Sequence, residues 1–231
     1  MNLFNKFRET YLKDLKLDFS YTEAKPNHAT VLLGWYVEIS KKTKKIIELG
    51  CGSGIISLYL AKNNQVEVTS IDKNEQLIEI ARRNVMNNNL RGNINVKQLD
   101  IGSVRNEFRC GSFDMVICNP PHFAHSGLRS SKETRNEWRR LNKNSLMEFA
   151  KATRWLLKNR GVFYFVIHPR DMAEWLRSFD DNKLGIHKMK IVHGKLKRQA
   201  QLILIKGRSN STSEIIIEPP LILRKDESNV R

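Results

Sequence analysis

The sequence predicts an α/β fold, with a mainly parallel sheet of seven strands that ends in an antiparallel hairpin and with helices on both faces. Three observations predict it. Short apolar runs of strand length alternate with segments whose apolar residues recur at helical spacing, which is typical of βαβ units. A glycine-rich turn follows the first apolar run, and only a short basic stretch joins the last two. That stretch has no room for a crossover helix, so the last two strands are expected to pair antiparallel.

Each strand is predicted from a short apolar run. The seven runs are 46–49, 66–71, 94–99, 113–118, 161–167, 186–192 and 201–206. The helices are predicted from apolar residues three and four positions apart. They span 28–40, 55–62, 74–88, 145–157 and 171–179, and the polar, basic stretch 122–140 is expected to begin as a loop and turn helical. A further apolar run at 215–217 is assigned to a loop.

The length of 231 residues fits one main domain with two short flanking segments. We expect a basic N-terminal segment over residues 1–27, the main domain over 28–223 and a charged tail over 224–231. No apolar run approaches the roughly 20 residues that span a bilayer, and charges occur throughout the N-terminal residues. Neither a membrane span nor a signal peptide is therefore expected.

The charge balance points to a polyanionic partner. Forty Lys and Arg residues against 24 Asp and Glu residues give a formal charge of +16, and contact with phosphates would release condensed counterions. A lysine-rich surface that is merely solvated is the alternative. The cysteines Cys51, Cys110 and Cys118 form no disulfide framework, which favours a reducing, cytoplasmic location. Cys118 with His122 and His125 lacks a fourth ligand, so no metal is expected.

The first sharp motif is a glycine loop at the end of the first predicted strand. Glu48 precedes three glycines, Gly50, Gly52 and Gly54, at alternate positions. Glycines let the backbone turn tightly and approach a ligand closely. Ile55 stands where the dinucleotide-binding fingerprint requires its third glycine, so the loop is not of that kind. A plain glycine-rich turn is the alternative.

Two aspartates follow the next two predicted strands. Asp72 closes the second strand and can accept hydrogen bonds from ribose hydroxyls, as acidic residues at this position do in nucleotide-binding sheets. Asp100 closes the third strand. Either residue by itself could be a helix cap or a solvated turn. Because ligands bind outside the carboxyl ends of parallel strands, the two together with the glycine loop predict one ligand site.

The second sharp motif is the tetrapeptide Asn119-Pro120-Pro121-His122 after the fourth predicted strand. Two prolines stiffen the backbone, so the Asn119 side chain and the Pro120 carbonyl can be directed at one point. Two acceptors that converge on an exocyclic amine localise its lone pair for attack on a methyl group. This chemistry needs positioning and electrostatics and no strong base. A structural Pro-Pro turn is the alternative.

The glycine loop resembles motif I of class I S-adenosylmethionine-dependent methyltransferases. The tetrapeptide resembles the (D/N/S)PP(Y/F/W) motif of amino-methyltransferases, which act on adenine N6, cytosine N4, guanine N2 or a glutamine amide. Over residues 20–223 the layout, including the basic hairpin and the Glu-Pro-Pro-Leu segment at 218–221, resembles the bacterial tRNA (adenine-37-N6) methyltransferases that act on valine tRNA. His122 stands where that family usually has Tyr or Phe, whose ring stacks on the target base. Imidazole can stack too.

The resemblance implies a Rossmann-like class I methyltransferase domain over residues 28–223, S-adenosylmethionine as cofactor and two sets of site residues. The implied catalytic residues are Asn119, Pro120, Pro121 and His122. The implied cofactor-binding residues are Thr30, Glu48, Gly50, Cys51, Gly52, Ser53, Gly54, Asp72, Lys73, Asp100, Ile101 and Asn119.

Two basic stretches with interleaved aromatic residues predict an RNA-binding surface. Its expected residues are Phe123, Arg129, Lys132, Arg135, Trp138, Arg139, Arg140, Lys195, Lys197 and Arg198. Solvated helix faces are the alternative. An adenine in an anticodon loop can be splayed into a pocket at little unstacking cost, which favours tRNA as the partner. We expect a monomer with no membrane partner.

Three other functions stay open at this point. The first is an rRNA guanine-N2 or adenine-N6 methyltransferase. The second is a DNA or protein-glutamine methyltransferase. The third is a non-catalytic RNA-binding protein on a methyltransferase fold.

Overall fold

The computed structural model describes residues 12–18, 20, 25–120 and 132–224, and in the helix that begins at Lys132 it describes side chains from residue 144. The strands are β1 Lys45–Leu49, β2 Glu67–Asp72, β3 Ile94–Gln98, β4 Phe113–Cys118, β5 Leu157–Ile167, β6 Leu184–His193, β7 Ala200–Ser209 and β8 Ile216–Ile222. The helices are α1 His28–Tyr36, α2 Ile55–Asn63, α3 Glu75–Asn87, α4 Val104–Glu107, α5 Lys132–Leu156 and α6 Met172–Asp181. Single 3₁₀ turns lie at Ile101–Ser103 and Pro169–Asp171.

The strands form one sheet in the order β3-β2-β1-β4-β5-β7-β6-β8. Strands β1 to β5 pair in parallel, and β7 runs antiparallel to both of its neighbours, β5 and β6. The predicted fold class and its antiparallel C-terminal hairpin are thus confirmed. Because β6 runs in the same direction as β1 to β5, the turn after β6 lies at the same edge as the carboxyl ends of those strands. We call this the carboxyl edge of the sheet.

The described residues form a sheet of eight strands, one more than the seven that the sequence predicts. Residues assigned to a loop form β8, which pairs in parallel with β6 at the edge of the sheet. Ile216 and Ile217 are 63% and 67% exposed, so the burial pattern that normally indicates a strand is missing. Pro219 and Pro220 also suggest a loop, but an edge strand tolerates proline because one side of it needs no ladder hydrogen bonds.

Helices cover both faces of the sheet, as predicted. On one face α1, α2 and α3 pack on β1, β2 and the neighbouring strands around buried residues such as Leu33 and Leu58. On the other face α5 and α6 pack around Trp175, Phe179 and Phe165, whose rings lie 5.2–5.3 Å apart between centroids. This two-sided burial explains the nearly continuous apolar runs of β1, β4 and β5.

Candidate active site

The glycine loop adopts a backbone conformation that residues other than glycine rarely adopt. Gly50, Gly52 and Gly54 have φ angles of 68°, 54° and 77°, all in the left-handed region. A Cβ on Gly54 would also lie 3.3 Å from the Cβ of Ala81 on α3. A Cβ on Gly50 or Gly52 would meet nothing within 4 Å. The loop therefore needs its glycines for backbone conformation at all three positions, and at the first two it faces open space.

Glu48 is a buried carboxyl group at the end of β1. Its exposed fraction is 3%. The backbone N–H of Ser57 donates to Glu48 Oε2 at 3.0 Å and the Ser57 hydroxyl donates to the same oxygen, while Ser70 Oγ donates to Ser57 Oγ at 2.7 Å. Burial raises the pKa of Glu48 to about 8. The hydrogen bonds from Ser57 lower this pKa, and the nearby Asp72 carboxylate raises it by a smaller amount than burial does. No basic residue among those described forms an ion pair with it.

Asp72 holds the glycine loop against the start of α3. Its Oδ2 accepts from the backbone N–H of Gly52 at 2.9 Å, and its Oδ1 accepts from the backbone N–H of Asn74 at 2.9 Å. Asp100 follows the next strand, β3. Its Oδ1 accepts from the backbone N–H of Gly102 at 2.8 Å and caps the 3₁₀ turn at Ile101–Ser103. Each carboxylate oxygen has a second lone pair for a ligand hydroxyl or amine.

Asn119 follows β4, and the nitrogen of its side-chain amide forms a hydrogen bond whereas the oxygen forms none with the described residues. Its Nδ2 donates to Thr30 Oγ1 at 3.1 Å, and Thr30 Oγ1 in turn donates to Asn27 Oδ1 at 3.1 Å. Asn119 Oδ1 is buried and makes no hydrogen bond to any described residue. A buried acceptor without a partner costs about 1–3 kcal/mol, so this oxygen is placed to accept from a ligand. Pro120, the next residue, is buried beside it.

These residues surround one cavity of about 450 Å³ at the carboxyl edge. Its predicted lining residues are Thr30, Glu48, Gly50, Cys51, Gly52, Ser53, Asp72, Lys73, Asp100, Ile101, Asn119 and Pro120. Gly54 is the one predicted cofactor-binding residue that lies behind this lining, as the N-cap of α2. The lining residues that the sequence did not predict are Lys25, Pro26, Asn27, Ile55, Ile56, Asn74, Leu77, Leu99, Ser145, Glu148 and Phe149.

The cavity is acidic although the chain carries a formal charge of +16. Four carboxyl groups line it, from Glu48, Asp72, Asp100 and Glu148, against the two lysines Lys25 and Lys73. Apolar side chains, among them Phe149 and Leu77, fill the space between the carboxyl groups. A volume of this size, lined by both polar and apolar residues, suits a small organic ligand, and the excess of carboxyl groups suits a cationic one.

The sequence model of the "Methyltransferase small domain" family matches residues 19–179, which include the whole glycine loop and the whole tetrapeptide. The chain belongs to the methyltransferase small domain family. A tRNA1(Val) (adenine(37)-N6)-methyltransferase from Shewanella sp. (strain MR-4) is 27% identical over 180 residues, which are 76% of this chain and 75% of the relative. The predicted resemblance to that group is thus confirmed.

Two further comparisons place this methyltransferase among its relatives. The ribosomal RNA small subunit methyltransferase C of Buchnera aphidicola subsp. Baizongia pistaciae is 30% identical over 129 residues, which are 55% of this chain and 37% of that relative. The crystal structure of a predicted O-methyltransferase from Agrobacterium tumefaciens superposes with a TM-score of 0.68 at 20% identity and covers 86% of this chain and 88% of the other. That structure shares the fold.

The cofactor of this methyltransferase is S-adenosylmethionine, as predicted, and the cavity fits it. The cofactor carries a sulfonium and an ammonium group, for which the lining offers the excess of carboxyl groups described above. The Glu48 carboxyl group lies at the glycine loop and forms no ion pair with any described residue. An ammonium group would therefore bind it without displacing another cation. When bound, the cofactor supplies an electrophilic methyl group.

Glu48 makes the stability of the ligand-free methyltransferase depend on pH. Its folded-state pKa of about 8 lies above the ordinary value of 4.5, so the folded chain holds a proton that the unfolded chain releases. Between these two pH values the group lowers the free energy of unfolding as pH rises. We expect Glu48→Gln, which cannot ionise, to lose less thermal stability than the wild type between pH 5 and pH 8.5, by several degrees in a melting curve. Parallel melting curves would contradict this.

The predicted RNA-binding residues fall into three groups. Lys195, Lys197 and Arg198 are exposed in the turn between β6 and β7, at the carboxyl edge. With strands about 4.8 Å apart, this turn lies on the order of 10–15 Å from the end of β4. Lys132, Arg135, Trp138, Arg139 and Arg140 lie in the first half of α5, where only the backbone is described. Phe123 and Arg129 lie outside the described residues, as do the predicted catalytic residues Pro121 and His122.

No helix in the described part of the chain is long and apolar enough to cross a membrane. All three cysteines are free, with Cys51 and Cys118 buried and Cys110 exposed.

Proposed function

We propose that this methyltransferase transfers the methyl group of S-adenosylmethionine to N6 of adenine 37 in valine tRNA. The observation that carries the proposal is the half-bound amide of Asn119. Thr30 fixes its orientation through Nδ2, so the buried carbonyl oxygen is left as an acceptor in the cavity. An acceptor suits an amine as the methyl acceptor. The named function of the Shewanella relative supports adenine N6 as that amine.

The cofactor roles follow from the chemistry of each lining residue. Glu48 would hold the ammonium group at the amino-acid end of the cofactor, because it is a buried acid at the glycine loop that lines the cavity. Asp72 would accept from the ribose hydroxyls through the lone pairs that Gly52 and Asn74 leave open. Asp100, exposed at the far end of the cavity, would accept from the adenine amine. Leu77 would pack against the adenine ring.

The catalytic step needs two acceptors and no strong base. Asn119 Oδ1 and the Pro120 carbonyl would each accept one proton of the target amine, which pulls the nitrogen toward tetrahedral geometry and localises its lone pair. The nitrogen would form its bond to the methyl carbon as the carbon–sulfur bond of the cofactor breaks, which leaves S-adenosylhomocysteine. One of the two amine protons would then leave to water along a hydrogen bond that the amine already makes. Because both acceptors are in place before the reaction, they stabilise developing positive charge without reorganisation. His122, and Phe123 beside it, are proposed to stack on the base.

RNA binding is proposed for the carboxyl edge, where the basic β6–β7 turn lies. His193 Nδ1 is 2.8 Å from the Arg198 carbonyl oxygen, and the Arg198 N–H donates to the Lys195 carbonyl at 3.1 Å. The turn is also tied to the end of β8, since Leu223 N–H donates to the His193 carbonyl at 2.9 Å. These bonds order the backbone of the turn, whose three cationic side chains are exposed at the carboxyl edge, which favours contact with phosphates.

A direct test uses unmodified transcripts, labelled cofactor and mass spectrometry of the product nucleosides. We expect label in N6-methyladenosine from valine tRNA and none from the same tRNA with guanine at position 37. The similarity to a ribosomal RNA methyltransferase makes small-subunit rRNA the second substrate to test. Label in N2-methylguanosine of that rRNA, with none in tRNA, would replace the proposed substrate. Label in neither RNA would contradict RNA methylation.

The β6–β7 turn gives the next prediction. Reversing Lys195, Lys197 and Arg198 to Glu should weaken RNA binding by a hundredfold or more at low salt and flatten its salt dependence, because each lost phosphate contact removes about 0.7 from the slope of log affinity against log salt. Filter binding over a salt series measures both quantities.

The matched control reverses Lys41, Lys42 and Lys44 to Glu. These lysines are exposed beside the start of β1, at the opposite edge of the sheet, and the change in charge is the same. Cofactor affinity should be unchanged in both variants. Equal losses of RNA binding would mean that net charge, and not this turn, controls binding.

The assignment of residues 28–223 as the catalytic domain, the monomeric state and the cytoplasmic location stay predictions.

A further inference from the structure

Residues 12–18 pack against the helices on one face of the sheet. Leu15 is 9% exposed and belongs to the same apolar cluster as the inner faces of α1 and α2, with Leu12 and Leu17 packed against it. On α3, Arg83 Nε donates to Asp18 Oδ2 at 2.8 Å. These residues thus join the apolar cluster and also make a polar contact with α3.

Two asparagines, Asn84 on α3 and Asn88 at its C-cap four positions later, bind the backbone of this segment. Asn88 binds Lys16 twice, since its Oδ1 accepts from Lys16 N at 3.0 Å and its Nδ2 donates to Lys16 O at 2.8 Å. The same Nδ2 also donates to the Asn84 carbonyl at 2.8 Å. Asn84 Oδ1 accepts from Asp18 N at 2.6 Å. Positions i and i+4 lie on one face of a helix, so the two amides form a short ladder along the segment.

Asn84 differs from Asn88 in its second bond. Its Nδ2 donates to the carbonyl of Ser53 at 3.0 Å, and its side chain is fully buried. Ser53 lies between the second and third glycines of the loop and lines the cofactor cavity. A single amide therefore connects the N-terminal segment to the cofactor loop.

We propose that Asn84 is a positioning residue for cofactor binding, and that residues 12–18 act on the cofactor loop through it. A loop with three left-handed glycines has much conformational freedom to lose on binding. Side chains hold two of its backbone groups, with Asp72 on the N–H of Gly52 and Asn84 on the carbonyl of Ser53. A loop that is already ordered binds its ligand at a lower entropic cost. Asn84 is itself ordered by its bond to Asp18.

The two asparagines allow a matched pair of substitutions. In Asn84→Asp and in Asn88→Asp the new carboxylate still accepts from the N-terminal backbone. Asn84→Asp loses one bond to a backbone carbonyl, that of Ser53 in the cofactor loop, and Asn88→Asp loses two, to Lys16 and Asn84, neither of which is in the loop. We expect Asn84→Asp to raise the calorimetric Kd for S-adenosylhomocysteine at least tenfold and Asn88→Asp to change it less than twofold. Equal changes in Kd would overturn the proposal.

Melting temperature and turnover separate positioning from loss of stability. At saturating cofactor, Asn84→Asp should recover most of the wild-type kcat while its KM for S-adenosylmethionine stays raised. A fall in kcat with an unchanged KM would overturn the proposal. The proposal would also be overturned if, in both variants, the rise in Kd were proportional to the loss of melting temperature. The calorimetric arm contains no RNA, so an incorrect RNA substrate would not alter its outcome.

A second pair on the surface of α3 keeps the proposal testable if Asn84→Asp does not fold. Arg83→Ala releases Asp18, whereas Arg82 pairs with Glu79 on the same helix at 3.5 Å. Both arginines are about half exposed. Arg83→Ala should weaken S-adenosylhomocysteine binding at least twofold, with Arg82→Ala at the wild-type value. Wild-type affinity in both variants would show that the segment does not act on the loop.

Discussion

Asn119→Ala is expected to slow methyl transfer to RNA by about a hundred- to a thousandfold, the effect of losing one preorganised transition-state partner worth roughly 2.7–4 kcal/mol. The lost group is the buried carbonyl oxygen that has no hydrogen-bond partner among the described residues. Cofactor affinity and melting temperature should barely change, because that oxygen acts on the methyl acceptor. Single-turnover rates with saturating RNA and cofactor measure the effect.

Two further variants of the same contact test the reason for the loss. Asn119→Asp keeps an acceptor and should retain partial activity. Thr30→Val removes the hydroxyl that fixes the amide at 3.1 Å, so it should lower the rate by a smaller factor than Asn119→Ala. A near-normal rate in Asn119→Ala would mean that the methyl acceptor is not an amine held by this side chain, and the substrate class would have to be replaced.

Asp72→Ala is expected to weaken binding of S-adenosylhomocysteine by tens-fold or more in calorimetry. Charge-assisted hydrogen bonds of this kind contribute roughly 1.5–3 kcal/mol. Two losses combine here. The cofactor would lose its ribose acceptor, and the N–H groups of Gly52 and Asn74, each 2.9 Å from the carboxylate, would lose the contact that holds the glycine loop against α3.

The chain contains a matched control for Asp72 at the opposite edge of the sheet. Asp114 Oδ2 also accepts from two backbone N–H groups, those of Lys44 and Lys45, each at 2.9 Å. Asp114→Ala should therefore cost comparable thermal stability and leave cofactor affinity at the wild-type value. Cofactor affinity that is equally weak in both variants would show that the Asp72 effect is a general loss of stability. Unchanged affinity in Asp72→Ala would remove this residue from the cofactor site.

The fold class and several residues of the cavity at the carboxyl edge follow from the sequence, because the features concerned are local. Three glycines at alternate positions require the left-handed backbone that the loop adopts. Asp72, Asp100 and Asn119 each come directly after an apolar run, and parallel strands bring their carboxyl ends to one edge. The glycine loop, Asp72, Asp100 and Asn119 can therefore be placed at one cavity from short motifs, without any knowledge of packing.

Only the tertiary structure decided which distant residues join that site. Glu148 and Phe149 line the cavity because α5 packs back against the 3₁₀ turn after β3, and their helical pattern gives no sign of it. β8 lacks a burial pattern because it is an exposed edge strand with two prolines. The connection of Asn84 to both Asp18 and Ser53 depends on three segments far apart in the chain. Side-chain hydrogen bonds of this kind have no period in the sequence, so they become apparent only when the segments are packed together.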